Sequence, residues 1–107
     1  MRNYTKEEQK LVSKLIKVGI NMSCKGFNYI LDAINIIKNE GNDIKITAVY
    51  YMVAEKNGSS YRRVERNIRS AVERVYTGNN VPSFLAPDDI GGKLTNGEFL
   101  FRLAYWL

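Results

Sequence analysis

The chain has 107 residues, so one domain spanning 1–107 is the default, and its 45% apolar content is enough for a modest core. Its charged fraction of 25% excludes general disorder, and its net charge of +5 points to a polyanionic partner, nucleic acid or an acidic membrane surface, against the plainer reading of solubility. The absence of histidine and the single cysteine exclude the usual general acid–base residue and any disulfide framework within one chain.

The opening MRNYTKEEQK is polar and lacks a signal-peptide core. Over 5–18 the spacing predicts an amphipathic helix, with Leu11, Val12, Leu15 and Ile16 on one side and lysines on the other. Thr5 and Glu8 form a capping box at its start, and Gly19 is a natural stop. Over 24–40, Phe27, Ile30, Leu31, Ile34 and Ile37 define a second helix, closed by Gly41 in the left-handed conformation. Cys24 sits at its start; with no histidine to serve as its base it is expected to be a packing residue, and its lone free thiol fits a reducing, cytoplasmic setting.

Over 45–57, Ile46, Val49, Tyr50, Val53 and Ala54 repeat the helical spacing. The β-branched residues make a strand over 44–53 the competing assignment. Helix is preferred because Ala54, Glu55 and Lys56 continue it and no partner strand is apparent. NGSS then supplies a tight turn centred on Gly58, with Ser59 or Ser60 as the cap of a helix over 60–76.

Residues 77–94 are rich in Gly, Pro, Asn and Asp and predict a loop with one short turn around Ser83–Leu85. Asp88 and Asp89 before two glycines are a turn signature first and a metal site a distant second. The last element begins with a second capping box, Thr95 with Glu98, and a hydrophobic staple, Leu94 with Phe99. Phe99, Leu100, Leu103, Trp106 and Leu107 give it an apolar face that must pack on the body or on a partner. No apolar run approaches membrane-spanning length. The whole is an all-α bundle of about five to six helices.

Two short helices joined by a glycine turn, the second one basic, have the layout of a helix-turn-helix: 46–57, turn 57–60, second helix 60–76. Ala54 is the small residue where the helices cross, Gly58 allows the turn, and Val64 anchors the second helix. The next anchor is expected near 67, but the apolar residue there is Ile68. With Val64 as zero, Ile68, Ala71, Val72 and Val75 fall within about 80°, whereas Arg62, Arg66, Arg69 and Glu73 fall within about 40° of the opposite pole, at 100° per residue. Arg63 and Glu65 flank, one on each side. The first residues of the second helix of such a motif reach base edges, where arginine pairs with guanine and glutamate accepts from cytosine. Arg63, Glu65 and Arg66 are therefore candidate base readers. Lys25, Ser59 and Ser60, at two helix starts, are candidate phosphate contacts, as are Arg62 and Arg69. The competing reading is a solvated face laced by pairs such as Glu65 with Arg69, with Arg74 balancing Glu73 and the helix dipole.

The run RVERNIRSAVE at 63–73 resembles RVERAIRHAIE of the C-terminal DNA-binding domain of the stage-zero sporulation response regulator family. VGINMSCKGFNYILDAI at 18–34 resembles that family's IGVPAHIKGYLYLREAI, and TNGEF at 95–99 its TNSEF. The resemblance implies an all-helical effector domain that binds short G/C-containing boxes in duplex DNA, with Arg63, Glu65 and Arg66 touching bases. It also suggests copies aligned on repeated boxes, with the 77–94 loop and the last helix as contacts. Arg62 replaces a serine, Ser70 a histidine, and Tyr50-Tyr51 a Tyr-Pro pair, so the target sequence is expected to differ. The family carries an N-terminal receiver domain; this chain has only a short lead-in, which fits either an excised domain or a stand-alone reader controlled by expression or by a partner.

The favoured function is thus a sequence-specific, double-stranded-DNA-binding transcriptional regulator acting in the bacterial cytoplasm, at the nucleoid when bound. The alternative is a protein-interaction module using the basic face or the apolar last helix. With no histidine, metal-ligand cluster or phosphate-binding loop, neither an enzyme nor a cofactor is expected.

Overall fold

Two Thr-x-x-Glu pairs fix where the outer helices begin. In each, the threonine hydroxyl accepts from the glutamate N–H while the glutamate side chain accepts from the threonine N–H. The computed structural model describes residues 2–41, 43–78, 81–87 and 92–107. Among them lie five α-helices and one short 3-10 turn: α1 (Lys6–Val18), α2 (Gly26–Glu40), α3 (Ile46–Lys56), α4 (Tyr61–Thr77), the turn at Ser83–Leu85, and α5 (Asn96–Trp106). The described residues contain no strand, so the stretch that competed as a strand is helix from Ile46 onward and the fold is all-α.

α2 is the central element. Helices α1, α3, α4 and α5 all pack on it, and its buried side chains include Phe27, Ile30, Leu31, Ala33, Ile34 and Ile37. These join Leu15, Val49, Val53, Val64, Ile68, Phe99, Leu100 and Leu103 in one contiguous core. Cys24 is half-buried against that core, as its reading as a packing residue requires.

Several boundaries and faces differ from expectation. α2 starts at Gly26 with Lys25 as its cap residue, so Cys24 precedes the helix. Gly41 closes it at φ 90°, ψ 174°, outside the left-handed helical region, whereas Gly19 ends α1 at φ 109°, ψ 14°, inside it. Ile16 is 48% exposed. The buried stripe of α1 is Leu11, Val12, Leu15 and Val18, and Ile16 lies about 40° beyond Val12, past the edge of that stripe, at 100° per residue. Within the apolar face of α5, expected to pack on the body or on a partner, Trp106 is 61% exposed, its ring centroid 5.8 Å from that of Phe84. Phe99, Leu100, Leu103 and Ala104 form the buried face instead. The turn read at Asp88 and Asp89 lies outside the described residues.

Candidate nucleic-acid interface

The motif is held by local bonds that follow from its sequence. α3 ends on Asn57, and Gly58 takes φ 58°, a conformation that costs a side-chain-bearing residue but not glycine. The chain then reverses, with the Ser59 N–H donating to the Ala54 carbonyl at 2.9 Å. Ser60, not Ser59, caps α4: its hydroxyl accepts from the Arg63 N–H at 3.2 Å. Ala54, Val64 and Ile68 are buried, as the crossing requires. The first turn of α4 is further fixed by Tyr61, whose ring meets Tyr50 at 5.4 Å and Tyr51 at 4.7 Å. Burial pushes the Tyr50 hydroxyl up to about 12, so it stays neutral at physiological pH.

The irregular anchor spacing has a cause. Asn67 faces the start of α2 rather than α3. A Cβ added to Gly26 would stand 2.3 Å from the Asn67 carbonyl oxygen, so only glycine permits the two backbones to meet there. This crossing sets the start of α2 beside the first turns of α4.

The result is an open recess of about 480 Å³ lined by Lys25, Asn28, Tyr29, Asn57, Arg63, Arg66 and Asn67. It brings together three of the residues singled out from sequence: Lys25, Arg63 and Arg66. Ser59 borders this region through its hydroxyl, which accepts from the Tyr29 hydroxyl at 3.1 Å. Arg62, Ser60 and Arg69 are exposed outside the recess lining, and Glu65 is half-buried. Lys25 also lines a second recess on the far side of the Gly26–Asn67 crossing, with Ser23, Ser70 and Arg74.

The electrostatics of α4 run against ordinary helix design. Its first turn holds Arg62 and Arg63 and no acidic residue. Cations near a helix N-terminus oppose the macrodipole by about 0.3–1 kcal/mol each. α2 shows the same pattern, with Lys25 at its cap, no side-chain cap bond and no acid in its first turn. Two positive helix ends converge on one recess, an arrangement of the kind that attracts anions. The pairing expected of a solvated face does occur, but at one place: Glu65 and Arg69 meet at 3.5 Å. Glu73 pairs with Lys93 at 3.4 Å rather than with Arg74. Among the described residues Arg62, Arg63, Arg66 and Lys25 have no carboxylate within salt-bridge distance, and no cluster of metal-ligating residues is present. Among the described residues no helix is long and apolar enough to cross a membrane.

Sequence reasoning missed Asp32. It is fully buried in the middle of α2, where its Oδ1 accepts from Arg2 Nη2 at 2.8 Å and from Lys56 Nζ at 2.9 Å, and its Oδ2 accepts from Asn57 Nδ2 at 3.0 Å. Burial pushes its carboxyl up, but hydrogen bonds from Arg2, Asn57 and Lys56 outweigh burial and hold it below its ordinary value. A lone aspartate in the apolar run Ile30–Ile34 was the available signal. Tyr29, which bonds the turn, and Asn28, which lines the recess, had none. In comparison with known families, a family model described as sporulation initiation factor Spo0A C terminal matches residues 11–107.

Proposed function

The chain belongs to the Spo0A C-terminal family of sporulation initiation factors, a DNA-binding domain, and on that premise we propose that it reads a short G/C-containing box in the major groove of duplex DNA. The observation that supports this best is the basic face at the start of α4 beside Lys25: neither α4 nor α2 has an acidic residue in its first turn, and among the described residues Arg62, Arg63, Arg66 and Lys25 have no carboxylate within salt-bridge distance. Arg63, Glu65 and Arg66 are the base-reading residues in this proposal. Lys25, Ser59, Ser60, Arg62 and Arg69 hold the phosphates on either side. The Glu65–Arg69 contact is compatible with both roles, because a long ion pair with a solvent-exposed arginine is weak enough to reorganise when DNA arrives.

Selection of bound duplexes from a random pool tests the proposal. Enrichment of one G/C-containing motif is the expected result; a pool bound without enrichment overturns base reading. The proposed place of action is the bacterial cytoplasm, on the nucleoid.

Exposed Tyr105 and Trp106, beside Phe84, favour a further contact between copies aligned on repeated boxes. Trp106→Ala should reduce cooperative filling of a two-box duplex while leaving single-box affinity intact. Unchanged cooperativity removes that contact.

A further inference from the structure

The bonds around Asp32 link parts of the molecule that DNA reading, as proposed above, leaves unconnected. On one side is the N-terminal arm. Arg2 donates to Asp32 and, at 2.7 Å, to Glu8, and the Tyr4 hydroxyl donates to Asn28 Oδ1 at 2.7 Å. Asn28 and Asp32 stand one turn apart on α2, so the arm lies along one face of that helix. On the other side is the helix-turn-helix turn. Asp32 accepts from Lys56 and Asn57, the last residue of α3 and its cap, and Tyr29 donates to Ser59 on the far side of Gly58. Asn57 Nδ2 also donates to the Val53 carbonyl at 2.8 Å, so its amide nitrogen is held between two acceptors.

We propose that Tyr29 and Asp32, three residues apart on α2, are positioning residues that clamp the turn, and that Arg2 completes the clamp so that the state of the N-terminal arm is felt where α4 meets DNA. A buried carboxylate that loses one of its donors is left partly uncompensated, and its remaining partners must shift to satisfy it. Here those partners are Lys56 and Asn57. Any shift passes through Gly58 to Ser59, Ser60 and the first turn of α4, which carries Arg62 and Arg63. The family match begins at residue 11, so Arg2 and Tyr4 lie ahead of the matched segment. The clamp thereby gives that segment's reading helix a contact with chain outside it.

The inference rests on the DNA-reading proposal for its consequence but not for its geometry, and two measurements separate the two. The first uses no DNA. In Arg2→Gln and Tyr29→Phe, hydrogen exchange at the Ser59 amide, which bonds Ala54, should quicken roughly five- to tenfold, the loss expected of about one hydrogen bond's net contribution, while α5 amides stay as they were. Unchanged exchange at Ser59 in both variants overturns the clamp, whatever the protein binds.

The second compares affinity for the selected duplex and for a scrambled one. Arg2→Gln and Asp32→Asn change the net charge in opposite directions, and Tyr29→Phe leaves it alone. Simple electrostatics therefore moves affinity up in one, down in another and not at all in the third. The clamp predicts that all three lose discrimination by about fivefold or more, the usual scale of coupling between sites. The Arg2→Gln/Asp32→Asn double variant has the wild-type net charge and should stay defective; recovery of wild-type discrimination overturns the clamp in favour of charge alone. Arg2→Gln and Tyr29→Phe, at half-buried positions, keep the test open if Asp32→Asn fails to fold. If the wild type itself does not discriminate, base reading falls while the exchange result still decides the clamp.

Discussion

Arg66 is exposed in the second turn of α4, lines the recess with Lys25 and Arg63, and has no carboxylate partner among the described residues. Its removal should leave the fold intact and act on DNA alone. Arg66→Ala is expected to cost about 1–3 kcal/mol at the selected box and to relax specificity at one base position. Titration of the box against single-base variants of it checks this; equal losses on every sequence would make Arg66 a phosphate contact. Asp32 is the opposite kind of residue, invisible to solvent and tied to three donors. Its folded carboxyl lies below the ordinary 3.8, so the stability it contributes is present above that value and is lost as pH falls through the lower folded one. Glu8, held down by the Thr5 backbone bond despite some burial and helped by Arg2, adds to the same acid limb. Thermal unfolding should therefore weaken below about pH 4, and Asp32→Asn should flatten that limb while lowering stability at neutral pH. An acid limb of undiminished steepness in Asp32→Asn would assign it to other carboxyls.

Between elements, the decisive contact is the approach of α2 to α4 at Gly26 and Asn67. Gly26→Ala places a methyl group against backbone, which cannot rotate away, so it should destabilise by about 1–3 kcal/mol and displace Lys25 from the recess. Denaturant unfolding measures the first effect, and weaker binding to any duplex the second; a variant of unchanged stability would mean that the helices slide apart freely. This crossing also shows why some of the structure was legible in the sequence and some was not. Capping boxes, the Gly58 turn and the core stripe of α4 are set by residues within a turn or two of one another, so spacing reveals them. The basic face opposite that stripe came with it, whereas the resemblance to the sporulation regulator family singled out Arg63, Glu65 and Arg66 as candidate base readers. The Gly26–Asn67 contact, the Tyr29–Ser59 bond and the Asp32 hub join residues about 24 to 41 positions apart, and no local period marks them. Ile16 failed for a related reason: an apolar residue near the edge of a helical stripe is buried only if a neighbour extends that far.

For the molecule as a whole, sixteen basic against eleven acidic residues give a field that attracts any polyanion, and net charge alone says nothing of sequence preference. The structure divides that charge. Arg63 and Arg66 line the recess at the start of α4, where the proposed reading places the base edges, whereas Lys25 sits at the start of a different helix and lines both recesses. Its exposed ammonium stands at the start of α2, which has no side-chain cap bond, and in the proposed reading it holds a phosphate. Each phosphate neutralised on B-DNA releases counterions and steepens the fall of log K with log salt by about 0.9. Lys25→Ala should therefore weaken the selected and scrambled duplexes by the same factor and make the salt slope shallower by about one unit. Arg66→Ala should differ by changing the ratio between the two duplexes. If Lys25→Ala instead changes that ratio and leaves the slope alone, the start of α2 is part of the reading surface, and the division between the two helices has to be redrawn.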